Sequence, residues 1–255
     1  MKTLLAATVA LSALLASPAL AAPAPAAATA AVADPGRPAT DTALDASRHP
    51  AEMVACSRVK AGDRVIDVWP GHGYWTRLFS TTVGAKGKVF AYVPAEIAAF
   101  KSDPVGTARA VAAEPGRGNV EAFSDPLAAP PPAEFRGTID VVWTFENYHD
   151  LHNSIMKGAD VDAFNRAVFA SLRPGGYYVV VDHAAVAGSG LSHTEDLHRI
   201  DPATIKAEVE KAGFVLDAEN KLLANPADPR TAKVFDPAIR GNTDRVAYRF
   251  RKPLP

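Results

Sequence analysis

Length, composition and charge place the chain among ordinary globular proteins. It has 255 residues, of which 48% are hydrophobic and 22% charged, which suits one large domain or two small ones. The formal net charge is −1, so the sequence lacks the excess of basic residues that sequence-independent nucleic-acid binding requires. Cys56 is the only cysteine, which excludes an internal disulfide and predicts a buried structural thiol.

Residues 1–22 are typical of a secretory signal peptide. Lys2 gives a positive start, residues 4–15 are almost wholly apolar, and residues 17–21 end in small side chains that suit a cleavage site. An uncleaved membrane anchor is the alternative. A transmembrane helix needs about 20 strongly apolar residues, however, and much of this segment consists of Ala, Ser and Pro. We therefore expect cleavage, a periplasmic or secreted mature protein, and no membrane contact after cleavage.

Residues 23–40 are mainly Ala and Pro. Such a segment buries too little apolar surface to offset the entropy of ordering it, so its composition predicts a linker. The folded domain is then expected to span residues 41–255.

Short apolar strands alternate with amphipathic helices along that domain. Helices are predicted over 74–83 and 160–172 and from Pro202 to Gly213, with Asp160 and Asp201 as N-caps. The alternation predicts an α/β fold of the Rossmann-like, doubly wound type, with a mostly parallel seven-stranded sheet and helices on both faces. The predicted strands are, in chain order, 64–69, 88–93, 119–123, 138–143, 177–181, 214–217 and 243–250.

A Gly-x-Gly turn joins the first predicted strand to the first predicted helix. Gly71 and Gly73 flank His72, between the strand end at Trp69 and the helix start at Tyr74. Glycines here let the backbone approach a ligand closely, and the helix N-terminus presents free N–H groups. The position within an alternating chain favours a ligand site, although a tight turn that binds nothing has the same short pattern.

This region resembles the first motif of the class I S-adenosylmethionine-dependent methyltransferases. In that family an acidic residue on the first strand precedes a glycine-rich turn that wraps the methionine part of the cofactor. Asp67, Gly71 and Gly73 match the motif, whereas Trp69 and Pro70 stand where a glycine and a small residue are usual. Three later segments are similar, in the right order, to the family's fourth strand and to the turns before its fifth and sixth strands: 140–143, 172–177 and 212–214. The variant turn and the segments 225–228, 240–245 and 249–250 resemble a group of exported bacterial proteins described as predicted methyltransferases.

The resemblance implies S-adenosylmethionine as the cofactor and a set of residues that hold it. The acidic residue that the family places at the end of its second strand, for the ribose hydroxyls, falls here on Val93. Glu96 is then expected to substitute for it, and Asp125 to hold the adenine amino group. The predicted cofactor-binding residues are Asp67, Trp69, Gly71, His72, Gly73, Glu96 and Asp125.

Candidate catalytic residues follow the fourth predicted strand. Glu146, Tyr148 and His149 lie after its carboxyl end, and in this fold the ends of strands one and four open onto the same crevice. His149 is the preferred general base, because an imidazole takes a proton near neutral pH. The alternative is that these residues cap a helix and satisfy loop backbone.

Seven histidines also invite a metal hypothesis. His149 and His152 are three residues apart and can share a helical face, with Asp182 or His183 as a third ligand from another strand end. Neither an HExxH nor a CxxC spacing is present, so the sequence favours no metal site.

The function predicted from the resemblance is methyl transfer from S-adenosylmethionine to an unknown, small-molecule acceptor. The alternative is a non-catalytic exported binding protein that keeps the methyltransferase fold, which Val93 and the signal peptide favour. The sequence indicates no nucleic-acid partner and leaves the oligomeric state open.

Overall fold

A computed structural model of the chain describes residues 25–129, 131–156 and 158–255. The predicted signal peptide, residues 1–22, lies outside the described residues. Within the described part of the chain, no helix has the length and apolar character needed to cross a bilayer.

One seven-stranded sheet organises the domain, with strand order β3-β2-β1-β4-β5-β7-β6. Strands β1 to β5 pair in parallel, whereas β7 runs antiparallel to both β5 and β6. The prediction of an α/β, Rossmann-like fold with seven strands is confirmed, and the sheet is mixed because of β7. The strands are β1 (Arg64–Val68), β2 (Lys88–Pro94), β3 (Val120–Asp125), β4 (Ile139–Phe145), β5 (Leu172–His183), β6 (Val215–Asn220) and β7 (Arg245–Arg251).

Helices cover both faces of the sheet. The helices are α1 (Ala26–Val32), α2 (Ala39–Thr42), α3 (Asp45–Arg48), α4 (Pro50–Ser57), α5 (Tyr74–Val83), α6 (Pro104–Ala112), α7 (Val161–Ser171) and α8 (Pro202–Lys211). On β4, the Trp143 ring packs against Phe79 of α5, with the ring centroids 5.3 Å apart. The preceding residue, Val142, lines a small apolar cavity together with Phe164 of α7, so it points to the opposite face. The predicted N-caps are also confirmed, since the Asp160 and Asp201 carboxylates accept hydrogen bonds from backbone N–H groups of the helices they precede.

The central strands are buried on both faces, which explains their continuous apolar runs. Residues 178–181 of β5 are all fully buried between parallel β4 and antiparallel β7. Edge strand β6 alternates instead between exposed and half-buried positions. Parallel strands β1 and β4 lie side by side with crossovers leading away in opposite directions, so a crevice opens at their carboxyl ends.

The prediction of an unstructured linker over 23–40 is wrong for residues 25–40. Helix α1 packs its fully buried Ala28 and Ala31 against the domain. Beyond it, the buried Arg37 guanidinium binds the Asp45 carboxylate through two hydrogen bonds of 2.6 and 2.9 Å. The composition was misleading because alanine favours helices and packs closely without a large side chain. Two charged residues also anchor the segment: Arg37 through Asp45, and Asp34 through Arg117 at 3.0 Å.

Candidate functional site

The turn after β1 has the backbone of a glycine-rich loop, including a tryptophan in a glycine-like conformation. Trp69, Gly71 and Gly73 have φ angles of 53°, 56° and 83°. A left-handed backbone is costly for a bulky residue and is retained only where the surroundings impose it. The Trp69 N–H donates to the Tyr92 carbonyl of β2 at 2.7 Å. The Asn147 amide donates to the Val68 and Trp69 carbonyls at 3.0 and 3.2 Å, which ties the turn to the segment after β4.

The two glycines of the turn serve different purposes. A Cβ at Gly73 would lie 2.7 Å from Cγ2 of Val111, so Gly73 lets α5 approach α6. A Cβ at Gly71 would have no neighbour within 4 Å, so Gly71 presents bare backbone to open space. Gly73 therefore serves packing, while Gly71 is available to a ligand.

A cavity of about 590 Å³ lies beside the turn. Trp69 and Pro70 line this cavity and do not plug it, and Phe145 and Asn147 extend it to the end of β4. Its other walls come from segments 38–48, 71–77 and 107–114. The volume lies in the range of about 300–1,000 Å³ that is typical of small-molecule sites.

Backbone donors face this region. Gly73, the N-cap of α5, has no side chain to cap the helix, and in the first turn the Asp67 carboxylate interacts with the Thr76 N–H. Within the described part of the chain, the N–H groups of Gly71 and His72 donate to no protein acceptor. Uncapped N–H groups at a helix N-terminus, together with the helix dipole, form a site for an anionic group such as a carboxylate or phosphate.

Asp67 is an acidic residue that lines the crevice at the end of β1 and is only 2% exposed. Its carboxylate accepts a hydrogen bond of 2.6 Å from the Thr76 hydroxyl. Burial raises the pKa of Asp67 to about 7, against the opposing effect of the Thr76 hydrogen bonds. Asp67 therefore changes charge near neutral pH.

A charged network holds the amino-terminal helices over the crevice. Arg77 of α5 donates to the His72 carbonyl at 2.8 Å and to Asp41 of α2 at 3.0 Å, and its Nε lies 2.9 Å from a Glu114 oxygen. On the other wall, the Arg48 guanidinium lies 4.4 Å from the centroid of the Tyr74 ring. These contacts fix the crevice walls before any ligand binds.

Five predicted cofactor residues converge on this cavity: Asp67, Trp69, Gly71, His72 and Gly73 line it or form its turn. Glu96 and Asp125 do not line it. Both Glu96 carboxylate oxygens accept from the Leu127 N–H, at 2.9 and 3.2 Å, so Glu96 secures the loop after β3. Asp125 lies instead at the small apolar cavity on the other face of the sheet. The structure thus separates these two residues from the glycine turn.

The three predicted catalytic residues point in different directions. Glu146 lies next to the crevice, with its carboxylate 3.0 Å from Arg245 and 3.9 Å from Arg48. Tyr148 is fully buried, donates to Glu208 at 2.9 Å and accepts from the Asn165 amide at 2.8 Å. Tyr148 therefore belongs to the packing between α7 and α8, and the prediction that it faces a substrate is wrong.

His149 is held in a buried ion pair. Its Nδ1 lies 2.7 Å from Asp182, whose carboxylate also accepts the His149 backbone N–H at 2.7 Å. Burial alone lowers the pKa of His149, but Asp182 and Asp150 outweigh it and raise the pKa to about 10. At neutral pH the ring already carries its proton, which disfavours the predicted role of general base.

Three residues that line the cavity, Arg48, Arg77 and Asn147, were not predicted from the sequence. Asn147 lies inside the stretch after β4 that was singled out, and an amide at a strand end is a visible signal. The sequence gives no such signal for Arg48 or Arg77. Arg48 precedes the expected strands, and Arg77 lies on a helix that was predicted from its apolar face.

The fold is that of the S-adenosylmethionine-dependent methyltransferases. A methyltransferase of this type from Aquifex aeolicus is 18% identical with a TM-score of 0.57, covering 85% of this chain and 98% of that chain. A geranyl diphosphate C-methyltransferase from Streptomyces coelicolor A3(2), solved with Mg²⁺, geranyl diphosphate and S-adenosyl-L-homocysteine, is 14% identical with a TM-score of 0.54, covering 90% and 89%. The [4+2]-cyclase SpnF is 17% identical with a TM-score of 0.57, and the match covers 87% of this chain and 85% of that chain.

No protein-family model and no curated protein sequence matches the chain. At these identities the structural likeness establishes the fold and not the reaction. The cyclase among the neighbours illustrates the same point.

Proposed function

We propose that the crevice beside the Gly71 turn binds S-adenosylmethionine and that the protein transfers its methyl group to a small-molecule acceptor. The observation that carries this proposal is the 590 Å³ cavity beside the N–H groups of Gly71 and His72, which have no protein acceptor among the described residues. The neighbouring folds, some of them solved with S-adenosylmethionine or S-adenosyl-L-homocysteine, support the choice of ligand.

The residues present fit the methionine part of this ligand. The N–H groups of Gly71 and His72 suit its carboxylate. Ionised Asp67 suits a cationic ligand. When bound, the cofactor supplies an electrophilic methyl group on a sulfonium.

The ribose part has no acidic partner in the position that the resemblance implies. Val93 is buried, and Glu96 is engaged by the Leu127 N–H. A missing charge-assisted hydrogen bond costs about 1.5–3 kcal/mol, so we expect affinity in the micromolar range and not the nanomolar range.

The chain contributes positioning and water exclusion to the reaction. Aromatic side chains of Trp69, Tyr74 and Phe145 line the crevice, and Arg48 and Arg77 hold its walls. Orientation of two reactants in such a site accounts for most of the barrier reduction in methyl transfer. Of the predicted catalytic residues, Glu146 lies between the lining residues Phe145 and Asn147, and Arg245 holds its carboxylate at 3.0 Å. The volume of the cavity and the chain's charge balance favour a small acceptor over a nucleic acid.

Export of the protein is part of the same proposal. The basis is the sequence pattern of residues 1–22. Amino-terminal sequencing of the protein recovered from a periplasmic fraction should begin at residue 22 or 23. An intact Met1 there would contradict cleavage.

Calorimetric titration with S-adenosylmethionine tests the cofactor proposal. Gly71→Arg places a long side chain in the crevice and should abolish binding. Gly62→Arg is the matched control, because Gly62 also has positive φ and open surroundings but lies before the amino end of β1, away from the crevice. Micromolar binding by the wild type and the Gly62 variant supports the proposal. Absence of binding at millimolar ligand, or equal binding by the Gly71 variant, refutes it.

A further inference from the structure

Three metal-binding side chains meet beyond the carboxyl ends of β4 and β5. His149 and Asp150 belong to the 3-10 turn His149–His152 that follows β4. His198 comes from the segment between β5 and α8, 49 residues farther along the chain from His149. One donor atom from each residue lies within 4.8 Å of the other two.

The spacing of the three donor atoms matches one face of a tetrahedron around a metal ion. His149 Nε2 lies 3.3 Å from Asp150 Oδ1 and 3.4 Å from His198 Nδ1, and His198 Nδ1 lies 3.6 Å from Asp150 Oδ1. Tetrahedral zinc with bonds of about 2.0–2.2 Å requires donor separations of about 3.3–3.6 Å. An octahedral ion with bonds of about 2.0–2.1 Å requires only about 2.8–3.0 Å between adjacent donors. The observed triangle therefore fits tetrahedral coordination.

A buried carboxylate orients the first of these ligands. Asp182 is fully buried and contacts His149 Nδ1 and the His149 backbone N–H, both at 2.7 Å. Metal-binding histidines characteristically use their second ring nitrogen in this way, which fixes the ring and directs the free nitrogen at the metal. Here the second nitrogen, Nε2, is the one that faces Asp150 and His198, and a metal ion that binds there replaces its proton.

His198 is held in place by the backbone around it. Its φ angle is 56°, a left-handed conformation that is costly for a non-glycine residue. The next residue, Arg199, is fully buried, donates to the Ala184 carbonyl at 3.0 Å and lies 2.9 Å from Asp228. Strain that is imposed by such anchoring characteristically marks a functional position.

The cluster is open on one side. The side chain of His149 is 3% exposed and that of Asp150 16%, whereas that of His198 is 29% exposed. Solvent or a substrate atom can therefore reach a fourth coordination position, as in zinc sites that keep one ligand exchangeable.

We propose that His149 Nε2, the Asp150 carboxylate and His198 Nδ1 bind a single Zn²⁺ ion with an open fourth position. Two imidazoles and one carboxylate suit a first-row transition metal better than Mg²⁺ or Ca²⁺, which favour oxygen ligands. The site is distinct from the glycine-turn crevice, so its existence does not depend on the proposed cofactor. The competing explanation is a hydrogen-bonded cluster of the same three residues that binds no metal.

The test uses the full chain, purified without a histidine tag and freed of metal by a chelator. We expect calorimetry with Zn²⁺ to show one site, and Co²⁺ to give the intense visible absorption of tetrahedral coordination. His198→Ala removes the partly exposed ligand and should weaken Zn²⁺ binding at least 100-fold. His193→Ala is the matched control, since this histidine lies in the same segment, pairs with Asp196 and is not part of the cluster.

Asp150→Asn provides a second variant with little change in shape, and circular dichroism verifies folding of every variant. Asp150→Asn should also weaken Zn²⁺ binding and remove the Co²⁺ absorption, while the His193 variant matches the wild type. Three results would overturn the proposal: no Zn²⁺ binding by the wild type, undiminished binding by both ligand variants, or a weak octahedral Co²⁺ spectrum.

Discussion

Replacement of Gly73 by alanine should destabilise the protein through one identifiable contact. The new Cβ would lie 2.7 Å from Cγ2 and 3.0 Å from Cγ1 of Val111, at a backbone φ of 83°. Left-handed backbone costs a non-glycine residue about 1–2 kcal/mol, and overpacking adds about 1–3 kcal/mol. The free energy of unfolding should therefore fall by about 2–5 kcal/mol, which corresponds to a fall in Tm of about 5–15 °C.

A double-mutant cycle separates the two contributions. Val111→Ala removes both methyl carbons that meet the new Cβ, so the double variant should recover about 1–3 kcal/mol relative to the sum of the single changes. Gly62→Ala is the control for backbone strain, because it has φ of 87° and no neighbour within 4 Å. Urea unfolding at constant pH measures the free energy of unfolding of the wild type and of the four variants.

Two results would refute this reasoning about Gly73. One is a loss of unfolding free energy equal to that of Gly62→Ala, which would mean that α6 moves away from the new methyl group without an energetic penalty. The other is additive behaviour of Gly73→Ala and Val111→Ala, which would mean that the two side chains do not meet.

Three further predictions concern charge and the amino terminus. Because the pKa of Asp67 is about 7, its carboxyl is neutral below that pH and charged above it, so affinity for S-adenosylmethionine should rise about three- to tenfold from pH 6 to pH 8. Calorimetry should show a smaller rise in Asp67→Asn, and an equal one would count against a role for this charge. Asp228→Ala leaves the buried Arg199 guanidinium without its carboxylate, so the free energy of unfolding in urea should fall by about 3–5 kcal/mol. A fall of less than about 1 kcal/mol would contradict a stabilising role for this buried pair. Deletion of residues 1–40 should lower stability by at least about 2 kcal/mol relative to deletion of residues 1–24, since α1 and its charged anchors pack on the domain; equal stabilities would restore the linker interpretation.

Local patterns in the sequence predicted much of the architecture. The helix over 74–83 has the bounds that its apolar face and Gly84 indicate, because a glycine turn precedes it and a glycine ends it. The segment 173–176 was read as a break before a strand. It instead forms the first part of β5, where the pairing with β4 shifts in register between Ile139 and Val141. Hydrophobic periodicity and turn-forming residues cannot distinguish a bulge within a strand from a loop that precedes the strand.

The site was predictable only where neighbours in the chain are also neighbours in space. The turn from Trp69 to Gly73 is local, and its residues do line the cavity. Glu96 was assigned from its distance along the chain, and the structure turns it towards Leu127. His198 was not assigned a role, because its meeting with His149 depends on how the segment after β5 folds back, which no local pattern encodes.

A crystal structure of the protein with S-adenosyl-L-homocysteine tests the central claim most directly. We predict electron density for the ligand in the cavity beside Trp69, with its carboxylate within hydrogen-bonding distance of the N–H groups of Gly71 and His72. Density at any other place on the protein, or a cavity filled by the Trp69 indole with no ligand bound, would contradict the assignment of this crevice as the cofactor site.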